Sequence, residues 1–140
     1  MSEKHIFYRA GYRYQLAEDY VIQTRLKPKQ AIDTQFIDLT LEGLLTVKKD
    51  YAWDGTSGPV IDTKENHRAS LVHDALYQLM RQRLLSPRKN YKDKADKLFR
   101  SLCKKDGVPS AVAQIYYQSL KKLGNPSTDP KNAKPVLQAP

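Results

Sequence analysis

One cysteine, Cys103, in 140 residues leaves no intramolecular disulfide to form, which excludes the disulfide-stapled scaffolds of small secreted domains and favours a reducing cytoplasm. Cys103 lies in an apolar helical pattern and is assigned to packing. No window approaches the ~18 apolar residues of a membrane span. The opening Met1-Ser2-Glu3-Lys4-His5 also lacks the apolar stretch of a signal peptide. A soluble product is therefore expected. There is no phosphate-cradling glycine loop and no pair of histidines four apart with a glutamate between them, so nucleotide chemistry and zinc proteolysis have no support.

Acidic residues are also scarce, 15 against 24 basic ones, for a net charge of +9. That surplus favours an anionic partner: a phospholipid surface, an acidic protein or a nucleic acid. The cations are scattered and no recognised nucleic-acid motif occurs, which places nucleic acid last. With 40% hydrophobic and 28% charged residues the composition is that of a folded protein rather than a disordered one.

Residues 6–26 place tyrosines and branched residues largely on alternate positions, which predicts extended structure; a base-stacking platform is the functional alternative for those rings. Lys27-Pro28-Lys29-Gln30 breaks it. A hairpin is expected from 36–41 and 44–50, turning at Glu42-Gly43. Residues 51–59, Tyr51-Ala52-Trp53-Asp54-Gly55-Thr56-Ser57-Gly58-Pro59, read as a shaped loop that leaves the sheet. Asp54 and Gly55 could face a cation there, or simply make a sharp turn with Trp53 anchored in the core.

Three helices follow. The first, capped by Asp62 or Thr63, runs to about Leu84 and buries one face through Ala69, Val72, Leu76, Leu79 and Met80. The second starts near Tyr91, with Ala95, Leu98, Phe99 and Leu102 inward and a connection short enough to make it antiparallel to the first. The third opens at Val108-Pro109-Ser110, buries Val112, Ile115, Tyr116, Leu120 and Leu123, and ends at Gly124. The expected class is α+β, N-terminal antiparallel hairpins before three helices, as a single domain over 1–124. Residues 125–140 read as a proline-rich flexible tail, a candidate contact for a partner.

The chemistry centres on Leu71-Val72-His73-Asp74-Ala75-Leu76-Tyr77. His73 and Tyr77 are one turn apart on the first helix, Asp74 projects about 100° further round, and the antiparallel partner can bring Asp96 beside His73. Such a cluster is a hydrolytic site or a satisfied polar knot between packed helices. His67 offers a second imidazole for a metal phosphohydrolase, but roughly 240° round from His73 it diverges.

These blocks resemble an uncharacterised, mostly phage-encoded domain family of unknown function, with an Asp-Gly-x-Ser-x-Pro loop, a His-Asp-x-x-Tyr helix and an Ala-Asp-x-x-Phe helix, matched here by Asp54 to Pro59, His73 to Tyr77 and Ala95 to Phe99. That likeness implies synthesis in a bacterial host cytoplasm and a virion-associated or accessory role. The same blocks are similar to the secretory-type phospholipases, which implies a phospholipase-like helix pair. The similarity also implies His73 as general base on water, Asp96 orienting it, Tyr77 bonded to Asp96, and calcium held by Asp74 with Asp54 and Gly55. The functional expectation is calcium-assisted ester hydrolysis at phospholipid. A non-catalytic phage assembly protein that keeps the fold as a scaffold is the alternative.

Overall fold

A computed structural model describes residues 6, 8–9, 14–56, 60 and 62–123. The chain is α+β, antiparallel strands followed by three helices. It divides after Asp54 into two compact units, each of which is described by itself.

In the first unit, β1 (Tyr8–Arg9), β2 (Tyr14–Leu16) and β7 (Ala52–Trp53) form a three-stranded sheet in the order β1-β2-β7. A four-stranded sheet has the order β3-β6-β5-β4, built from β3 (Tyr20–Gln23), β4 (Ile32–Asp33), β5 (Ile37–Leu39) and β6 (Leu44–Val47). Alternation sets its register. Tyr20 and Ile37 oppose Val47, and Ile22 and Leu39 oppose Leu45; all six are buried, as the two-residue period of a half-buried strand requires.

The expected hairpin is β5-β6, and its turn needs glycine. Gly43 sits at φ +92, where a Cβ would come within 2.6 Å of the Thr24 carbonyl. Thr24 holds the turn by donating its hydroxyl to the Gly43 carbonyl at 2.8 Å. Two elements differ from the sequence expectation. Ile32–Asp33 adds an edge strand to β5. Ala52–Trp53, expected in a loop leaving the sheet, pairs with Tyr14–Gln15 instead, and the Trp53 ring lies 5.5 Å from that of Tyr14.

The second unit holds α1 (Lys64–Arg81), a short 3-10 turn at Arg88–Asn90, α2 (Lys92–Lys105) and α3 (Ser110–Leu123). Thr63 is the N-cap of α1, its N–H donating to Asn66 Oδ1 at 3.0 Å, one half of a capping box. The helix is buried round most of its circumference, from Asn66 to His73 and again at Ala75–Tyr77, Leu79 and Met80. That is more than the single apolar face expected, and the polar residues so enclosed need partners. Arg68 finds one at the far end of α2: its Nε and Nη2 each reach the Asp106 carboxylate at 2.9 Å, a two-pronged bond that ties α1 to its antiparallel neighbour.

α3 is rotated from the face that hydropathy predicts. Ala113 and Tyr117 are buried, whereas Ile115 is 62% exposed. The tail from 125, Gly124 and residues 57–59 lie outside the described residues, as do Gly11 and Tyr12.

Candidate functional site

His73 and Tyr77, four apart on α1, present adjacent rings with centroids 3.9 Å apart. Facing them, α2 contributes Asp96, with no solvent exposure. His73 Nε2 lies 2.8 Å from Asp96 Oδ1, and the Tyr77 hydroxyl donates to that same oxygen at 2.5 Å. Phe99, one turn beyond Asp96 on α2, meets the His73 ring edge-on at 5.3 Å. Three of the residues expected to form the site are thus brought together by the α1-α2 packing.

A fourth group had no role in the sequence expectation. Lys92 Nζ donates to Asp96 Oδ2 at 2.9 Å and to the Leu120 carbonyl at 3.0 Å, joining α2 to α3. The signal was present: Lys92 and Asp96 are four apart on one helix, the spacing at which opposite charges meet.

Burial pushes the His73 pKa down, overriding the Asp96 carboxylate that would raise it, and the Lys92 charge pushes the same way as burial. The ring is therefore neutral at pH 7. Burial alone would raise Asp96, yet the hydrogen bond from His73, helped by those from Lys92 and Tyr77, holds it below its ordinary value. Tyr77 is pushed far up, by burial first and then by Asp96 and Asp74. An ionised carboxylate only accepts, so a neutral ring beside it carries its proton on Nε2 and leaves the lone pair on Nδ1.

Asp74 is half-buried on the turn between His73 and Tyr77. Asp54 is exposed at the end of the first unit, and Gly55 opens the second. Gly55, at φ +82, is pressed against another carboxylate: a Cβ there would meet both Asp62 oxygens at 2.8 Å. Asp62 also lies 3.5 Å from His67 Nδ1. The two imidazoles of α1 are thus matched to different carboxylates, against the phosphohydrolase reading. Among the described residues no three His, Cys, Asp or Glu side chains converge as a metal site.

A family model described as protein of unknown function (DUF1353) matches residues 14–120. No curated protein and no solved structure matches the chain. The matched span includes every residue of the His73 cluster.

Proposed function

The chain belongs to the DUF1353 family, whose function is unknown, and we propose that this member is an ester hydrolase in which His73 acts as general base on water. Phospholipid is the substrate class, favoured by the surplus positive charge and by the likeness of the blocks to secretory-type phospholipases. One observation carries the reading: an imidazole whose Nε2 lies 2.8 Å from a buried carboxylate that also accepts the Tyr77 hydroxyl.

In the proposed reaction Nδ1 takes a proton from water as the water oxygen bonds to the ester carbonyl carbon. The imidazolium so formed is stabilised by Asp96 through Nε2–H. When the carbonyl–oxygen bond to the alcohol breaks, the proton passes from Nδ1 to the leaving alkoxide, giving a carboxylic acid and an alcohol. No step is routed through calcium. Calcium binding by Asp74, Asp54 and Gly55 is a separate proposal, tested by titrating the protein with the ion and following its thermal midpoint.

Fluorescent phospholipid cleavage by the full chain, with and without calcium, tests the reading. His73→Ala should lower turnover by about 100-fold or more, the usual contribution of a positioned base, while circular dichroism stays native. A folded wild-type protein that cleaves no ester ends the proposal.

A second reading, favoured by the 6% exposure of His73 and by the Lys92 charge already set against Asp96, is a non-catalytic phage accessory or assembly protein. The cluster then pins α1 to α2, and the contact surfaces lie elsewhere, in the tyrosine-rich sheet and the tail from 125. It is supported if the protein is found in purified particles, or if residues 125–140 retain a capsid or tail protein, in a strain where His73→Ala has no effect on infection.

A further inference from the structure

Among the described residues four large apolar side chains are exposed, and two of them, Leu41 at 50% and Leu44 at 38%, flank the bend between β5 and β6. A single exposed leucine needs no explanation. This pair stands on a turn whose backbone carbonyls are already satisfied. The Gly43 N–H donates to the Thr40 carbonyl and the Thr40 N–H to the Leu44 carbonyl, each at 3.0 Å. The Leu44 N–H donates to Thr40 Oγ1, also at 3.0 Å. From outside the turn, the Gln23 amide donates to the Glu42 carbonyl and the Thr24 hydroxyl to the Gly43 carbonyl, both at 2.8 Å. Internal bonding of this kind is what a backbone needs before it can leave water.

Cations stand beside the leucines. The carbonyls of Thr24 and Leu26 both press on Gly43, which places the exposed Arg25 between them next to the bend, with the exposed Lys27 following. The turn itself carries one carboxylate, that of exposed Glu42.

We infer that the β5-β6 turn is a lipid-docking surface: Leu41 and Leu44 enter the interface of an anionic bilayer while Arg25 and Lys27 meet its headgroup phosphates. Apolar side chains on a bonded backbone with cations beside them match a medium that is apolar within and anionic at its edge. The inference rests on the phospholipid reading above for the class of partner and adds the place of contact. Glu42 opposes the approach, and removing its charge strengthens it.

The test is sedimentation of the full chain with vesicles of phosphatidylglycerol and phosphatidylcholine in equal parts. Leu41→Ser with Leu44→Thr, the threonine keeping strand propensity, should weaken partition by about tenfold, the scale of two half-exposed leucines leaving water. Arg25→Gln should weaken it by about fivefold and Glu42→Gln should strengthen it. Rising salt should shrink the Arg25 effect and leave the leucine effect in place. Ile115→Ser, on α3, should change nothing, although Ile115 is the more exposed residue. In Leu41→Trp, added emission should move to shorter wavelength on vesicles and be quenched by brominated acyl chains, over the constant background of buried Trp53.

No vesicle binding by the wild type, unchanged partition of the folded leucine pair, an equal loss in Ile115→Ser, or an unquenched Leu41→Trp overturns the surface. So does a lipid-free dimer in sedimentation equilibrium that the leucine pair abolishes, which would assign the turn to a second copy of the chain. Hydrolysis is read separately, on short-chain phosphatidylglycerol dissolved as monomer, which the leucine pair should cleave at the wild-type rate. Vesicle binding by a wild type that leaves this monomer intact ends the hydrolase reading and keeps the surface.

Discussion

Asp96 carries its charge at zero exposure because His73, Tyr77 and Lys92 all donate to it. Asp96→Asn keeps the shape and removes the charge, which leaves the Lys92 ammonium buried without its counter-ion. Breaking one side of a buried pair typically costs about 3–5 kcal/mol, and a fall of that size in urea-unfolding free energy is expected. Little change would mean that the pair is solvated. The histidines set the acid side of the stability curve. His73 and His67 are both pushed down, each chiefly by burial, so the unfolded chain takes up protons first. Their contribution is complete above the ordinary value of 6.5 and is lost as pH falls below it towards the lowered values. Urea midpoints should decline from pH 7.5 to 5, and His73→Gln should flatten the decline in part, His67 supplying the remainder.

Periodicity made α1, α2 and the β5-β6 hairpin legible, because each keeps one repeat over several residues. Gly43 is the place where the hairpin depends on a single residue: a left-handed backbone costs an L-residue about 1–2 kcal/mol, and the Thr24 carbonyl blocks the added methyl. Gly43→Ala should lower the thermal midpoint by several degrees, whereas alanine at exposed Glu42 should not. What periodicity missed has physical reasons. Ala52–Trp53 is two residues long beside Asp54 and Gly55, too short for any repeat, and its partner Tyr14–Gln15 is remote in sequence. On α3 the inward position is Tyr117, drawn in by its hydroxyl bond to Asp93 and by Arg100 4.5 Å over its ring. Hydropathy scores neither contact, so Ile115 was placed inside and Tyr117 left out. In the site, the meeting of His73, Tyr77 and Asp96 was legible from spacing on two antiparallel helices. The close approach of Gly55 to the Asp62 carboxylate was not, since it depends on loop conformation.

For the molecule as a whole, the net charge of +9 is the property most exposed to its surroundings. No helix among the described residues is long and apolar enough to cross a membrane. A cation near an anionic bilayer surface contributes about 1 kcal/mol, and salt screens it within a Debye length. The protein should sediment with phosphatidylglycerol vesicles at low salt, not with phosphatidylcholine, and should be released as salt rises. The tail allows a charge effect to be told from a specific contact. Residues 125–140 contain Lys131 and Lys134 against Asp129, so their removal takes the net charge only from +9 to +8. Vesicle binding by a chain ending at Gly124, with its fold verified by circular dichroism, should therefore be almost that of the full chain. Loss of binding on so small a change in charge would show that the tail makes the contact, and that the basic surface of the remainder does not.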